Sequence, residues 1–227
     1  ETIECQFVGL TAGVSPNVSF LKSEESIELG RGIKVDNNLR TSVSNIYAIG
    51  DCAELKTPRE GRRGIEAIWY TGRMMGETVA YNILGKAVDY DPGIWFNSAK
   101  FMDLEYQVYG EVPAHGRGGL ASLYWEHEDG EHAVRINYEA STKVVRGFNL
   151  MGIRYRHEVC EKWIKEETHI EEVLQSLGLA NFDPEFYKQY EQEVVNLYNK
   201  QEGTKLELKT KRGLSAAIRF LRKAVNT

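Results

Sequence analysis

The stretch TSVSNIYAIGDCAEL, residues 41–55, contains a short apolar run that ends on Gly50 and Asp51. The run NIYAIGD predicts a buried strand. A carboxylate beside a glycine at the carboxyl end of such a strand lies where an open α/β sheet holds a ligand. Its oxygens can accept hydrogen bonds from the hydroxyls of a sugar or polyol. Alternatively, Asp51 caps the short turn CAEL that follows it, and the spacing alone leaves both interpretations open.

The composition is that of a globular protein with a mildly acidic balance. The 227 residues carry 28 Lys and Arg against 33 Asp and Glu, and 42% of the residues are hydrophobic. The acidic balance gives no support to nucleic-acid binding as a main function. No apolar run approaches the roughly 20 residues that span a bilayer. Three widely spaced cysteines without a CxxC pair indicate a reducing compartment, and we expect a cytoplasmic protein without a membrane partner.

The first part of the chain mixes predicted strands with one predicted helix. Residues Cys5 to Ala12 predict a short buried strand. GIKVDNNLRTS predicts a hairpin of residues 33–35 with residues 39–41. Residues 65–84 predict a helix that ends at Gly85. The predicted helix has one apolar face, made by Ile65, Ile68, Trp69, Val79 and Ile83.

Two glycines, Gly72 and Gly76, lie inside this predicted helix, where glycine is unfavourable. Each costs the helix about 1 kcal/mol relative to alanine. We therefore expect another backbone segment or a ligand to come close to this face.

The composition changes near DYDPG, residues 89–93, and a domain boundary is expected there. The region that follows alternates polar and apolar residues and predicts three to five antiparallel strands, with Asp129-Gly130 as a hairpin turn. Helices are predicted over residues 157–178, over residues 181–200 with Asp183 as N-cap and Pro184 in the first turn, and over residues 214–225. The expected fold is an α/β portion over residues 1–90, followed by an α+β domain over residues 91–227 with an antiparallel sheet and C-terminal helices.

TSVSNIYAIGDCAE resembles the second flavin motif of the pyridine nucleotide-disulfide oxidoreductases and their ferredoxin-reductase-like relatives, in which IYAxGD is followed by a small pair. Three neighbouring segments resemble the same family in the same order. FVGLTAGVSPN is similar to a strand that ends in GxxPN, GIKVDNNLRTS to a GIxVDxxLRTS hairpin, and GETVAYNILG to a GxxAAxNIxG helix. Together these segments run from Phe7 to Gly85.

The resemblance implies a flavin site. The residue that matches the family's Asp is Asp51, beside Gly50, and it would accept a hydrogen bond from the ribityl chain of FAD. The resemblance also implies that the helix, starting near Glu66, points its N-terminus at the flavin ring through Ala67, Ile68 and Trp69. The positive end of the helix dipole there would favour negative charge on the ring. The alternative for Trp69 is plain core packing.

A second segment, GIWFNSAKFMDLEYQVYG, resembles the start of the C-terminal domain in the ferredoxin-reductase and apoptosis-inducing-factor branch. The resemblance places an aromatic residue of this segment near the flavin, and the candidates are Trp95 and Phe96. The alternative is that these aromatic side chains fill the core of an antiparallel sheet.

The family's two GxGxxG motifs, for FAD and for NAD(P)H, and its CxxxxC redox disulfide are missing from the 227 residues. The chain is therefore expected to be the C-terminal part of an FAD-dependent NAD(P)H oxidoreductase, inactive by itself. Its expected partners are the missing N-terminal FAD and NAD(P)H domains, an unidentified electron acceptor and a second copy in a homodimer. A folded interaction module that self-associates through the helices after residue 157 is the alternative.

The remaining candidates for chemistry are expected to be structural. His115, His157 and His169 are predicted surface histidines, and Cys52 is predicted to be a small buried filler. The histidines and cysteines show no metal-ligand spacing, and HGRGGL predicts a turn. The basic C-terminal segment fits either a solvated helix face or contact with an acidic partner such as a ferredoxin; its basic residues are Lys205, Lys209, Lys211, Arg212, Arg219, Arg222 and Lys223.

Overall fold

The computed structural model describes residues 2–59, 61–182, 185–186 and 188–209. The chain forms two compact units, with the first ending at Gly93 and the second beginning at Ile94. Each unit has a hydrophobic core of its own. No helix among the described residues is long and apolar enough to cross a membrane.

The first unit contains one short parallel strand pair and one long helix. Strand β1, Ile33–Val35, pairs with strand β2, Ala53–Leu55, in parallel. Helix α1 spans Trp69–Ile83. Two single turns of 3₁₀ helix complete the unit, Ser19–Leu21 and Gly50–Cys52.

One face of α1 closes the core of the first unit. Thr71, Met75, Val79 and Asn82 are buried at spacings of three and four residues, as an amphipathic helix requires. Asn82 also anchors the end of the helix: its Nδ2 donates to the carbonyls of residues 38 and 88, each at 2.8 Å. The predicted helix end is confirmed, since the Gly85 N–H donates to the Asn82 carbonyl at 3.0 Å.

Three strand predictions for the first unit are wrong. Residues Cys5 to Ala12 form no strand and are exposed, with Leu10 91% exposed. The described part of this unit contains only the β1–β2 pair, so residues 5–12 have no neighbouring strand to bond. The predicted hairpin of residues 33–35 with residues 39–41 does not form, because β1 pairs with β2 instead. Residues 39–41 follow β1 after a turn in which the Leu39 N–H donates to the Asp36 carbonyl. NIYAIGD forms only an isolated bridge between Arg40 and Tyr47.

Helix α1 also begins later than predicted. Ile68 has extended backbone angles, φ −135° and ψ 137°, so residues 65–68 precede the helix. Trp69 and Ile83 do not belong to its buried face, because they are 69% and 65% exposed. The face that packs is set by Met75 and Val79, which contact the core of the β1–β2 pair.

The second unit is built on a five-stranded antiparallel sheet. Its strands are β3 Phe96–Phe101, β4 Leu104–Gly110, β5 Leu120–Glu126, β6 Ala133–Glu139 and β7 Val145–Met151. Their order across the sheet is β3-β4-β7-β6-β5. The predicted antiparallel strands are confirmed, and so is the hairpin at Asp129-Gly130, which joins β5 to β6.

Three α-helices follow the sheet: α2 His157–Lys165, α3 Ile170–Gln175 and α4 Glu191–Glu202, with a 3₁₀ turn at Leu177–Leu179. The prediction of one helix over residues 157–178 is wrong. The Val145 N–H donates to the Thr168 carbonyl at 2.9 Å, and the Ile170 N–H donates to the Lys143 carbonyl at 2.8 Å. The segment between α2 and α3 is thus bonded to the start of β7, which interrupts the helix.

The core of the second unit lies between the sheet and these helices. Phe148 and Leu150 of β7 are fully buried, and the ring of Trp163 from α2 lies 6.0 Å from that of Phe148. Leu174 and Val194 bring α3 and α4 into the same core. The start of the helix predicted over residues 181–200 is wrong, because α4 begins at Glu191. The predictions for Asp183, Pro184 and residues 214–225 lie outside the described residues.

A carboxylate ties β1 to β2. Glu54 Oε1 accepts from Lys34 Nζ at 2.7 Å, and its Oε2 accepts from the Gly32 N–H at 2.8 Å. Burial alone would raise the pKa of Glu54, but the Gly32 N–H and the Lys34 ammonium outweigh it and lower the pKa.

We expect Glu54→Gln to reduce the free energy of unfolding by about 1–2 kcal/mol at neutral pH, because two charge-assisted hydrogen bonds weaken. Since the folded-state pKa is lowered, the contribution of Glu54 is present above its ordinary pKa and is lost as pH falls through the folded value. Urea unfolding should therefore show that the free energy of unfolding falls less in the variant than in the parent protein between neutral pH and about pH 3. The matched control is Glu28→Gln, whose exposed ion pair with Lys56 should contribute under about 0.5 kcal/mol. Equal effects of the two substitutions would contradict the stabilising role of the Glu54 hydrogen bonds.

Candidate functional site

The turn Gly50–Cys52 presents an exposed carboxylate. Gly50 has φ +73°, and an added Cβ would meet no atom within 4 Å. Within the described residues, the Asp51 carboxylate makes no hydrogen bond or ion pair, and its side chain is exposed. The residues after it form strand β2. The alternative interpretation, that Asp51 caps a helical turn CAEL, is therefore wrong.

Helix α1 packs directly on this turn. The Gly50 N–H points at the Met75 sulfur, 3.3 Å away. An added Cβ on Gly72 would lie 3.7 Å from the Gly50 Cα, and one on Gly76 would lie 3.9 Å from Ile49 Cδ1. The Ile49–Gly50 segment thus lies beside these two glycines, but both distances are ordinary van der Waals contacts and do not by themselves require glycine at residues 72 and 76.

The N-terminus of α1 has no acidic or capping side chain. Ile68 precedes the helix without a side-chain cap, and the first turn contains no acidic residue. Trp69 is exposed and packs edge-on against the Tyr70 ring at 5.3 Å. The core-packing alternative for Trp69 is wrong. The backbone N–H groups of a first helical turn lack intrahelical acceptors and carry the positive end of the helix dipole.

The predicted site residues lie at three places. Gly50 and Asp51 form the turn beside α1. Trp69 begins the helix, whereas Ala67 and Ile68 lie in the extended segment before it, and the Ile68 N–H already donates to the Glu66 carbonyl at 2.9 Å. A helix start near Glu66 is therefore wrong, and only Trp69 of these three residues belongs to the first turn.

Trp95 belongs to the second unit and directly precedes β3. It is half-buried, and its carbonyl accepts from the Gly110 N–H at 2.7 Å. Phe96 packs against the core of that unit, with its ring 4.5 Å from that of His157. The packing alternative therefore holds for Phe96.

A buried ion pair in front of α1 was missed by sequence reasoning. Arg62 and Glu66 are joined by two hydrogen bonds, Nε–Oε1 and Nη2–Oε2, each 2.6 Å long. Their side chains are only 9% and 7% exposed. Arg62 Nη1 also donates to the Gly93 carbonyl at 2.9 Å. The sequence shows three arginines in one basic loop and gives no signal for which of them is buried.

The other candidates have structural environments. Cys52 is partly buried, with its sulfur 3.7 Å from the Ile49 carbonyl oxygen. His169 caps α3, because its Nδ1 accepts from the Glu171 N–H at 3.3 Å. The HGRGGL segment is a turn, in which the Leu120 N–H donates to the Arg117 carbonyl at 3.1 Å.

Residues 1–76 match the family model of pyridine nucleotide-disulphide oxidoreductases. The match covers most of the first unit, which ends at Gly93. The matched residues include the Gly50–Asp51 turn and the first half of α1.

Two named relatives are similar to the chain over a longer stretch than the family model matches. The chain is 35% identical over 146 residues to an NAD(P)H sulfur oxidoreductase (CoA-dependent) of Pyrococcus furiosus, a match that covers 63% of this chain and 29% of the relative. It is 25% identical over 191 residues to the human pyridine nucleotide-disulfide oxidoreductase domain-containing protein 1, covering 81% of this chain and 38% of the relative.

A solved structure shares the fold of most of the chain. The NAD-dependent persulfide reductase from A. fulgidus superimposes with a TM-score of 0.63 at 22% identity, over 84% of this chain and 38% of that one. The matches thus span roughly a third of the length of these three proteins.

The buried ion pair should be essential to the segment before α1. We expect Glu66→Gln to reduce the free energy of unfolding by about 3 kcal/mol, because it leaves the Arg62 guanidinium buried without its counter-charge. Urea unfolding and hydrogen exchange of peptides from α1 would measure the change.

Glu77→Gln is the matched control on α1. Glu77 forms an exposed ion pair with Arg73, so this variant should change the free energy of unfolding by less than about 0.5 kcal/mol. Faster exchange in both variants, or in neither, would contradict a special role for the buried pair.

Proposed function

We propose that this chain is part of a flavoprotein in which hydride passes from NAD(P)H to FAD and electrons pass on to an acceptor. The observation that carries the proposal is the exposed Asp51 carboxylate on a glycine turn beside the start of α1, inside the region that matches the family. When bound, FAD supplies the ring system that accepts hydride and passes electrons on. The chain's own residues bind and orient the cofactor.

Asp51 fits the polyol part of FAD. Its carboxylate is exposed and makes no hydrogen bond within the described residues, so both oxygens are available to ribityl hydroxyls. The open space at Gly50 lets a ligand approach the backbone. We propose that Asp51 accepts a hydrogen bond from the ribityl chain.

The start of α1 fits the electron-rich part of the cofactor. Its first turn has neither an acidic residue nor a side-chain cap, and the Glu66 carboxylate, which accepts from Thr71 Oγ1 at 3.4 Å, is paired with the Arg62 guanidinium. We propose that the N–H groups from Trp69 onward, rather than those of Ala67 and Ile68, stabilise negative charge on the flavin ring.

FAD needs a further anchor for its pyrophosphate. The 227 residues contain no GxGxxG motif, whose backbone N–H groups and helix N-terminus hold a dinucleotide pyrophosphate. We propose that further domains supply this anchor and the NAD(P)H site. Residues 1–227 by themselves should then bind FAD weakly and have no oxidoreductase activity.

Sulfur compounds are the first acceptors to test. The Pyrococcus furiosus relative is named a CoA-dependent sulfur oxidoreductase, and the A. fulgidus neighbour is named a persulfide reductase. We propose a low-molecular-weight persulfide, polysulfide or disulfide as acceptor.

The alternative function, a self-associating module, has less support from the described residues. Helices α2–α4 bury their apolar faces, including Cys160, Leu174 and Val195, in the core of their own unit, so these faces are not available to a partner. A homodimer through other surfaces remains a prediction, which sedimentation velocity can measure.

The direct test is the visible absorbance of the purified 227-residue chain with added FAD. We expect no stable complex after gel filtration from this chain, and a stable flavin complex from the longer flavoprotein that contains it. Tight FAD binding by the chain alone would contradict the proposed need for a second anchor. Absence of flavin from both proteins would contradict the proposed function.

Asp51→Ala should weaken FAD retention in the flavoprotein that contains residues 1–227. Loss of a hydrogen bond to a charged acceptor contributes roughly 1.5–3 kcal/mol, or about ten- to a hundredfold in affinity. The measurement is the ratio of flavin to protein absorbance after gel filtration. Asp103→Ala, at an exposed position of the second unit, is the control and should retain FAD. Equal retention by both variants would remove Asp51 from the site.

Trp95→Phe tests the aromatic residue that the resemblance places near the flavin. If Trp95 contacts the ring, the visible flavin spectrum of the longer protein should shift and its fluorescence should rise, since indole stacking quenches flavin emission. Trp125→Phe replaces a tryptophan buried in the core of the second unit and should leave the spectrum unchanged. If both variants keep the flavin spectrum of the parent protein, Trp95 has a packing role.

A further inference from the structure

The hairpin between β5 and β6 brings two histidines and an aspartate together. Asp129 Oδ2 lies 2.8 Å from His127 Nδ1 and 2.8 Å from His132 Nδ1. The three ligand-type atoms all lie within 4.8 Å of one another. Spacing of histidines and cysteines does not indicate this cluster in the sequence, because its third member is a carboxylate.

The backbone of the turn holds the carboxylate in place. Asp129 Oδ1 accepts from the N–H groups of Glu131 at 2.9 Å and His132 at 3.2 Å. Gly130 has φ +70°, a conformation that residues with a Cβ rarely adopt. These bonds use one carboxylate oxygen and leave Oδ2 directed at the two imidazole rings.

The imidazole rings are held by aromatic packing. The ring of Tyr190 lies 5.1 Å from that of His127 and 5.1 Å from that of His132. The side chains of the two histidines are 16% and 27% exposed, and that of Asp129 is 34% exposed. The cluster is therefore largely fixed, yet it stays open to solvent on one side.

We propose that His127 Nδ1, Asp129 Oδ2 and His132 Nδ1 bind a divalent transition-metal ion of the Zn²⁺ type. Two imidazoles and one carboxylate are ligands that Zn²⁺ takes in proteins, with bonds of about 2.0–2.2 Å. Tetrahedral bonds of that length require ligand atoms about 3.3 Å apart, so the two 2.8 Å separations between nitrogen and oxygen would have to widen by about 0.5 Å. Water would occupy the fourth position. This inference is independent of the proposed flavin function.

One neighbouring cation opposes the metal. Lys188 Nζ lies 3.3 Å from His127 Nε2 and 4.8 Å from the centre of the Tyr190 ring. The Asp129 N–H donates to His127 Nδ1 at 3.3 Å, and the metal would have to replace this hydrogen bond. The positive charge of the Lys188 ammonium also repels a divalent ion. Removing the Lys188 ammonium should therefore strengthen binding.

The test is a titration of the chelator-treated 227-residue protein with Co²⁺ and with Zn²⁺, each added as the metal salt. Co²⁺ should give the intense visible bands of a tetrahedral site at one equivalent, and Zn²⁺ should displace it. His127→Asn and His132→Asn, made separately, should each weaken binding at least tenfold. His115→Asn, at an exposed loop histidine of the same unit, is the control and should bind as the parent does.

Lys188→Gln keeps the test falsifiable if a histidine variant folds poorly, because misfolding cannot raise affinity. We expect this variant to bind Co²⁺ severalfold more tightly than the parent. Absence of a one-equivalent tetrahedral spectrum would overturn the proposal. So would unchanged binding by both histidine variants, since the ion would then sit elsewhere, or unchanged affinity in Lys188→Gln.

Discussion

The parallel pairing of β1 with β2 is the interaction on which the candidate flavin site depends. Each strand has only three residues, so the pair relies on Glu54, which bonds to Lys34 and to the Gly32 N–H across it. The turn Gly50–Cys52 leads directly into β2. The strand pair therefore fixes the start of β2, and with it the place of the Asp51 carboxylate beside α1.

Two further constraints determine where α1 begins and which of its faces packs against the unit. The buried Arg62–Glu66 ion pair holds the preceding segment in a non-helical conformation, because a carboxylate and a guanidinium removed from water must keep each other as partners. Packing on Gly50 and Ile49 then fixes the face of the helix. The second unit combines buried polar contacts, such as the 2.9 Å hydrogen bond from Asn181 to Glu191, with an extensive apolar core. Its five strands and three α-helices share one continuous apolar core, formed by residues such as Phe148, Trp163 and Leu174.

The sequence predicted best where local signals agreed with long-range packing. The antiparallel strands and the Asp129-Gly130 turn were predicted by alternation and by turn chemistry, and both are confirmed. Prediction failed where pairing partners decide the conformation. Residues 5–12 have strand-like composition but no neighbouring strand among the described residues. The helix predicted over residues 157–178 is interrupted because Thr168 and Ile170 bond to the start of β7, a contact that helical periodicity cannot reveal.

The sequence by itself indicated the family that residues 1–76 match, through the Gly50-Asp51 motif and its neighbours, and it predicted the antiparallel sheet of the second unit. Such motifs are local, because a glycine with positive φ or an alternating strand is specified by adjacent residues. Only the tertiary structure decided that β1 pairs with β2 in parallel, that Arg62 is the buried arginine, and that the hairpin histidines share one carboxylate. The first feature depends on which distant segments meet, the second on which groups lose water on packing, and the third on the β5–β6 register that closes the hairpin.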